Sequence, residues 1–290
     1  MPEQTIPQSG NKPVNNPLAN YFRQPKLYVK LPSRGEFYPE GSLDKSEIDE
    51  YAVYAMTAKD ELMFKTPDAL MNGQATVEVI KSCIPAIKQP WLMPSIDMDA
   101  VLIAIRIATY GENMEVRASC PECTHFNEFE MNLIRYLDEA NNFNYESLIT
   151  VGELIVKIRP YSYQEVSKTQ LRTMEQQKIL ALVNDDTVED NVKISKFSES
   201  FIKLTELTVD VITGCIASIE TPQGIVTDQT MITEFVQNAP SDVFNKINTH
   251  VNKMKEMMTL KTQEVACSEC EHKWQIEVTM DQTNFFAVGS

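Results

Sequence analysis

Ser119-Cys120-Pro121-Glu122-Cys123-Thr124-His125-Phe126-Asn127-Glu128-Phe129-Glu130-Met131 and Ala266-Cys267-Ser268-Glu269-Cys270-Glu271-His272-Lys273-Trp274-Gln275-Ile276-Glu277-Val278 follow one pattern. Each is Cys-x-Glu-Cys-x-His followed by alternating apolar and polar residues, with Phe129 and Met131 in the places of Ile276 and Val278. Alternation of period two is the mark of a strand. Val116–Ser119 and Glu264–Ala266 precede the cysteines in the same style, so each stretch reads as a β-hairpin with a C-x-x-C knuckle at its tip. Two residues between cysteines let a tight turn aim both sulfurs at one point. Zinc takes four thiolates at about 2.3 Å in a tetrahedron, and one knuckle supplies two. The expectation is one structural Zn2+ held by Cys120, Cys123, Cys267 and Cys270, with no open position for catalysis. A redox dithiol, an iron–sulfur cluster, and two separate sites using His125 and His272 are the alternatives. The redox reading wants a C-x-x-C in a βαβ setting, which is absent here. Iron–sulfur ligation has no supporting spacing. Separate sites have too few ligands in each half, so His125 and His272 are placed outside the ligand set.

Working outward, the two knuckles close two similar stretches. Tyr51–Met56 and Leu154–Arg159 read as strands. Each leads to a helix-start signal, Thr57 with Asp60 and Ser162 with Glu165, the spacing of a capping box. Helical sequence then runs to Cys83-Ile84 in one half and Cys215-Ile216 in the other, both cysteines reading as small core residues. Asp97–Tyr110 is almost wholly apolar and reads as a buried helix. Val243, Ile247, Val251, Met254 and Met258 form one helical face, and Phe197, Phe201, Leu204, Thr208, Val211 and Cys215 another.

The expected fold class is α+β: two similar helical modules, each with short strands and a C-x-x-C β-hairpin, joined by a shared zinc knuckle pair. Residues 1–26, with Pro2, Pro7, Pro13, Pro17 and Pro25, read as a flexible N-terminal arm. Residues 27–50 read as an extended docking segment: a short strand at Leu27–Leu31, a turn at Ser33-Arg34-Gly35, and Phe37-Tyr38 packing on the fold or meeting a partner. The first module is 51–135, a linker spans 136–153, and the second module is 154–290. The acidic run Asp185–Asp190 reads as a solvated loop.

Bulk properties limit the function. The 290-residue chain has 26 Lys and Arg against 41 Asp and Glu, a formal net charge of −15. Nucleic-acid binding wants a basic face, and Glu122, Glu128, Glu130, Glu269 and Glu271 gather at the knuckles instead. No apolar run approaches the roughly 18 residues of a membrane span, and the N-terminus lacks the apolar centre of a signal peptide. With three histidines and nine glycines, the chain has no H-E-x-x-H, no phosphate loop, no G-x-G-x-x-G and no G-x-S-x-G. It reads as a non-enzymatic protein of a cytosol-like compartment that works by protein–protein interaction. A zinc-ribbon nucleic-acid-binding regulator is the alternative.

One ordered set of motifs adds a resemblance. Lys30–Pro39 (KLPSRGEFYP), Met56–Glu61 (MTAKDE), Arg106–Gly111 (RIATYG) and Ser119–Cys123 (SCPEC) resemble the baseplate hub or hub-assembly proteins of T-even-like contractile-tailed bacteriophages. The resemblance covers about residues 27–135 and weakens beyond. It implies a tail baseplate hub component or a baseplate assembly factor, with other baseplate or hub proteins as partners and no nucleic acid or membrane. It places the chain in the host cytoplasm during assembly or in the virion baseplate. It implies no enzymatic activity and carries over no site residues; zinc rests on the spacing alone.

Overall fold

The computed structural model describes residues 18, 21–64, 73–142, 144–183, 190–258, 262–276 and 286. Most of the expected arm and the acidic run 185–189 lie outside these residues. Helices and strands are mixed throughout, so the class is α+β.

The first cluster of buried side chains forms around Met98–Tyr110, here α3, after α1 (Ala58–Phe64) and α2 (Gln74–Cys83). Every residue of α3 from Ala100 to Ala108 is buried; all are apolar but Arg106, whose guanidinium lies over the Tyr110 ring at 5.4 Å. β1 (Pro25–Val29) pairs antiparallel with β2 (Tyr51–Tyr54), placing Val29, Tyr51 and Val53 against it. Thr57 caps α1 in a closed box: its amide donates to the Asp60 carboxylate at 2.8 Å and the Asp60 amide returns to its hydroxyl at 3.3 Å. Asp60 also lies 3.6 Å from Arg23, which donates to the Ala55 carbonyl at 2.6 Å. Arg23, within the stretch 1–26 expected as a flexible arm, is thus bonded to the fold.

The segment 27–50 is likewise built into the fold. Asp97, fully buried, accepts the Ser33 amide (2.7 Å), the Ser33 hydroxyl (2.6 Å) and the Tyr38 hydroxyl (2.9 Å). Tyr38 thus serves its own core, and Phe37 sets its ring edge to Tyr145 at 5.4 Å.

The stretch 136–153, expected as a linker, carries regular structure. α4 (Leu133–Asn141) buries Leu133, Tyr136 and Leu137 in the first cluster. β5 (Leu148–Val151) then opens a four-stranded antiparallel sheet with β6 (Leu154–Ile158), β7 (Ile216–Thr221) and β8 (Gly224–Val226), in that order. Between β6 and β7 stands a pair of long helices, α5 (Tyr163–Val183) and α6 (Asp190–Gly214). α7 (Gln229–Asn238) and α8 (Ser241–Met258) follow, and Ile232, Val236 and Ile247 complete a second cluster with Val156, Ile158, Ile212 and Ile216.

The apolar rhythm expected of α6 divides in two. Ser200, Leu204, Leu207 and Val211 are on its less exposed side, whereas Ile194, Phe197 and Phe201 stand in solvent. A pair of helices has one inner face, so the second stripe is left uncovered.

The C-terminal hairpin crosses back. β9 (Gln263–Ala266) and β10 (Lys273–Ile276) place Val265 and Ile276 in the first cluster, and Phe286 stacks on Phe64 at 4.5 Å. By packing, the end of the stretch 154–290 sides with the first core, because its apolar face finds cover there. The second cluster is an insertion between the two parts of the first.

Candidate metal centre

The knuckles sit at the tips of two hairpins. β3 (Asn113–Ser119) pairs with β4 (Phe126–Asn132) so that Ser119 faces Phe126, and β9 pairs with β10 so that Ala266 faces Lys273. Six residues bridge each pair, and the two tips make the same bonds. The Cys120 amide donates to the His125 carbonyl at 2.9 Å and the Thr124 amide to the Cys120 carbonyl at 2.9 Å. In the second tip Cys267 donates to His272 at 2.9 Å and Glu271 to Cys267 at 3.0 Å. Thr124 and Glu271, at matching positions, both have φ of +59°, a left-handed conformation that costs roughly 1 kcal/mol or more outside glycine. Two separate chain segments thus adopt one strained turn.

The turns bring the four sulfurs together. All four lie within 4.8 Å of one another; Cys120 is 3.6 Å from Cys270, and Cys123 is 3.6 Å from Cys267. Both short distances run between the hairpins. They are too long for a disulfide, near 2.05 Å, and close to the roughly 3.8 Å edge of a tetrahedron with 2.3 Å metal–sulfur bonds. The four cysteines could hold a metal ion. His125 and His272 are outside this set. They supply the tip carbonyls, and the His272 ring stacks on Trp274 at 6.3 Å.

The electrostatics suit a cation. Against the penalty of burial, amides of Cys270 and Glu269 and the Asn127 side chain lower the Cys267 thiol to about 6. Against the pull of the His272 amide, the sulfurs of Cys123 and Cys120 push the Cys270 thiol up to about 12. Four sulfurs this close resist carrying four negative charges unless a cation shares them.

Asn127 was missed at the level of sequence. It is buried, and it spans the hairpins. Its carbonyl oxygen accepts the Ser268 amide and hydroxyl, each at 2.9 Å; its amide nitrogen donates to the His125 carbonyl at 2.9 Å and lies 3.6 Å from the Cys267 sulfur. The signal was a break in the repeat: seven residues after the first cysteine stands Asn127 in one hairpin and Trp274 in the other. Trp274 instead meets Phe129 edge-on at 5.7 Å, closing the apolar side of the hairpin pair.

Comparison with protein families decides the kinship. The model of the family described as T4 bacteriophage base plate protein matches residues 25–287. The chain belongs to this family. For this baseplate chain the match begins at the first residue of β1 and takes in both knuckles. Membership supports a structural role in the phage baseplate, among other phage structural proteins. No curated protein and no solved structure matches the chain. No helix among the described residues is long and apolar enough to cross a membrane.

Proposed function

We propose that the chain is a non-enzymatic component of the tail baseplate hub, or a factor that assembles it, and that it acts through protein–protein contact. The family match over residues 25–287 carries this reading. In it, Cys120, Cys123, Cys267 and Cys270 hold one zinc ion. Four thiolates at tetrahedral spacing suit zinc, and a site without a free position gives it a structural task. The stretches 51–135 and 154–290 each bring one knuckle, and the ion joins the two hairpins across the first core. The exposed carboxylates Glu122, Glu128, Glu269 and Glu271 around the knuckles favour a protein partner over nucleic acid.

Mass spectrometry of purified virions tests the role. Stoichiometric presence means a built-in component, and absence combined with a requirement for assembly means an assembly factor. Normal tails after deletion of the gene would overturn both. Elemental analysis of the purified chain tests the ion: one zinc per chain is expected, and a metal-free folded chain would sink that part.

A further inference from the structure

The sheet of the second core ends at β5, whose only strand partner among the described residues is β6. Leu148–Val151 pairs with Leu154–Lys157 in register, and Ser147 accepts from Ile158. By the two-residue alternation of an antiparallel pair, Ser147, Ile149 and Val151 bond inward, leaving the amides and carbonyls of Leu148 and Thr150 on the free edge. Such an edge is a template for another strand.

Beside this edge runs α8. Between them lies an open groove of about 440 Å³, lined by Ile149 and Thr150 on one side and by Lys246, Thr249, His250 and Lys253 on the other. Its size falls within the roughly 300–1,000 Å³ of ligand clefts. Its charge is the unusual feature. The chain carries −15 overall, yet the side chains lining this groove include two lysines and a histidine and no carboxylate. His250 is held in place through the Glu146 carbonyl at 2.8 Å. Lys253 has Glu146 at 3.8 Å, a pair exposed on both sides and weak enough to exchange for a better partner. Lys246 is exposed.

We infer that this groove takes an extended acidic segment of a partner protein, added to β5 as a fifth strand with its carboxylates facing Lys246 and Lys253. The edge supplies backbone hydrogen bonds, Ile149 a small apolar floor, and the lysines of α8 the choice of an acidic sequence. This holds whether the chain is a virion component or an assembly factor.

Fluorescence anisotropy of the full chain with labelled octapeptides tests it. A peptide alternating glutamate and valine should bind, and its counterpart with lysine for glutamate should not. Lys246→Gln combined with Lys253→Gln should weaken binding roughly tenfold or more. Thr150→Pro removes one edge amide without touching the pairing to β6, and should weaken it comparably. Circular dichroism checks that the variants fold; the lysines are exposed, so that pair decides even if the proline variant misfolds. The inference is overturned by absence of binding, by an affinity indifferent to the lysine pair, or by an affinity unchanged in a folded Thr150→Pro. It is also overturned if a single-stranded oligonucleotide binds as well as the acidic peptide, which would mark an unspecific cationic patch.

Discussion

Asp97 is the point at which the N-terminal segment is tied to the first core. Burial pushes its carboxyl up to about 6, although the hydrogen bonds from Ser33 and Tyr38 pull the other way. A carboxyl with a folded pKa above its unfolded value near 3.8 holds its proton more tightly in the folded state. Its stabilising contribution is whole below about pH 4 and is lost as pH rises through about 6. A shift of that size corresponds to about 3 kcal/mol. Asp97→Asn keeps the shape and a neutral hydrogen-bonding group but removes the titration. Urea unfolding of both chains between pH 4 and pH 7.5 should show the wild type losing ground to the variant as pH rises, then a constant difference. A difference that does not change with pH would mean that the buried carboxyl is compensated by its donors. Sequence alone carries no hint of this role: Asp97 reads there only as the first residue of an apolar helix, and its donors Ser33 and Tyr38 are 64 and 59 residues away. Asn127 was hidden for a similar reason: its partners, Ser268 and Cys267, are 141 and 140 residues away.

At the scale of elements, local signals did well where the chemistry is local. The box of Ser162 and Glu165 forms as spaced: the Ser162 amide donates to the carboxylate at 2.7 Å, and Arg159 grips the same group at 2.6 and 3.0 Å. Arg159 and the Ser162 donors, outweighing the cost of burial, hold Glu165 below its ordinary range. The buried character of α3 was equally plain from composition. What lay beyond local reading was the docking of α5 on the first core. Tyr163 stacks on Trp91 at 5.4 Å, its amide donates to the Met93 carbonyl at 2.9 Å, and Gly73 approaches from the start of α2. Gly73 has φ of +76°, and an added Cβ would stand 2.8 Å from the Tyr163 hydroxyl and 3.1 Å from Trp91. The left-handed backbone alone costs roughly 1–2 kcal/mol for alanine. Gly73→Ala should therefore destabilise by about 2 kcal/mol or more in urea unfolding. Tyr163→Phe removes the clashing oxygen, so in the Gly73→Ala background it should restore part of the loss. If the two substitutions add independently, the contact between α2 and α5 is looser than this geometry.

For the whole molecule, the C-x-x-C spacing foretold that four cysteines would gather, but not which core they would serve. Sequence order put the second knuckle with the helices before it, whereas Val265, Ile276 and Phe286 lie in the first cluster. A choice between two apolar surfaces has no local signature. The arrangement gives the proposed zinc a definite task. Cys123 and Cys267 are 144 residues apart, and the entire second cluster lies between them. A cross-link closing a loop of that length is worth about 5 kcal/mol in the chain-entropy description. The ion would therefore act as a latch across the base of an insertion, holding β9 and β10 on the first core. Removing it with a strong chelator should lower the melting temperature and open the C-terminal hairpin before anything else. Limited proteolysis should then cut first within residues 262–276, while the second cluster, closed by its own sheet and helices, keeps its amide protection in hydrogen exchange. Cys120→Ser with Cys267→Ser should reproduce the effect. Cys83→Ala and Cys215→Ala, which alter core positions away from the knuckles, should leave the metal content unchanged. If chelation moves neither the melting temperature nor the first cut, Val265, Ile276 and Phe286 hold the hairpin by packing alone and the latch is wrong.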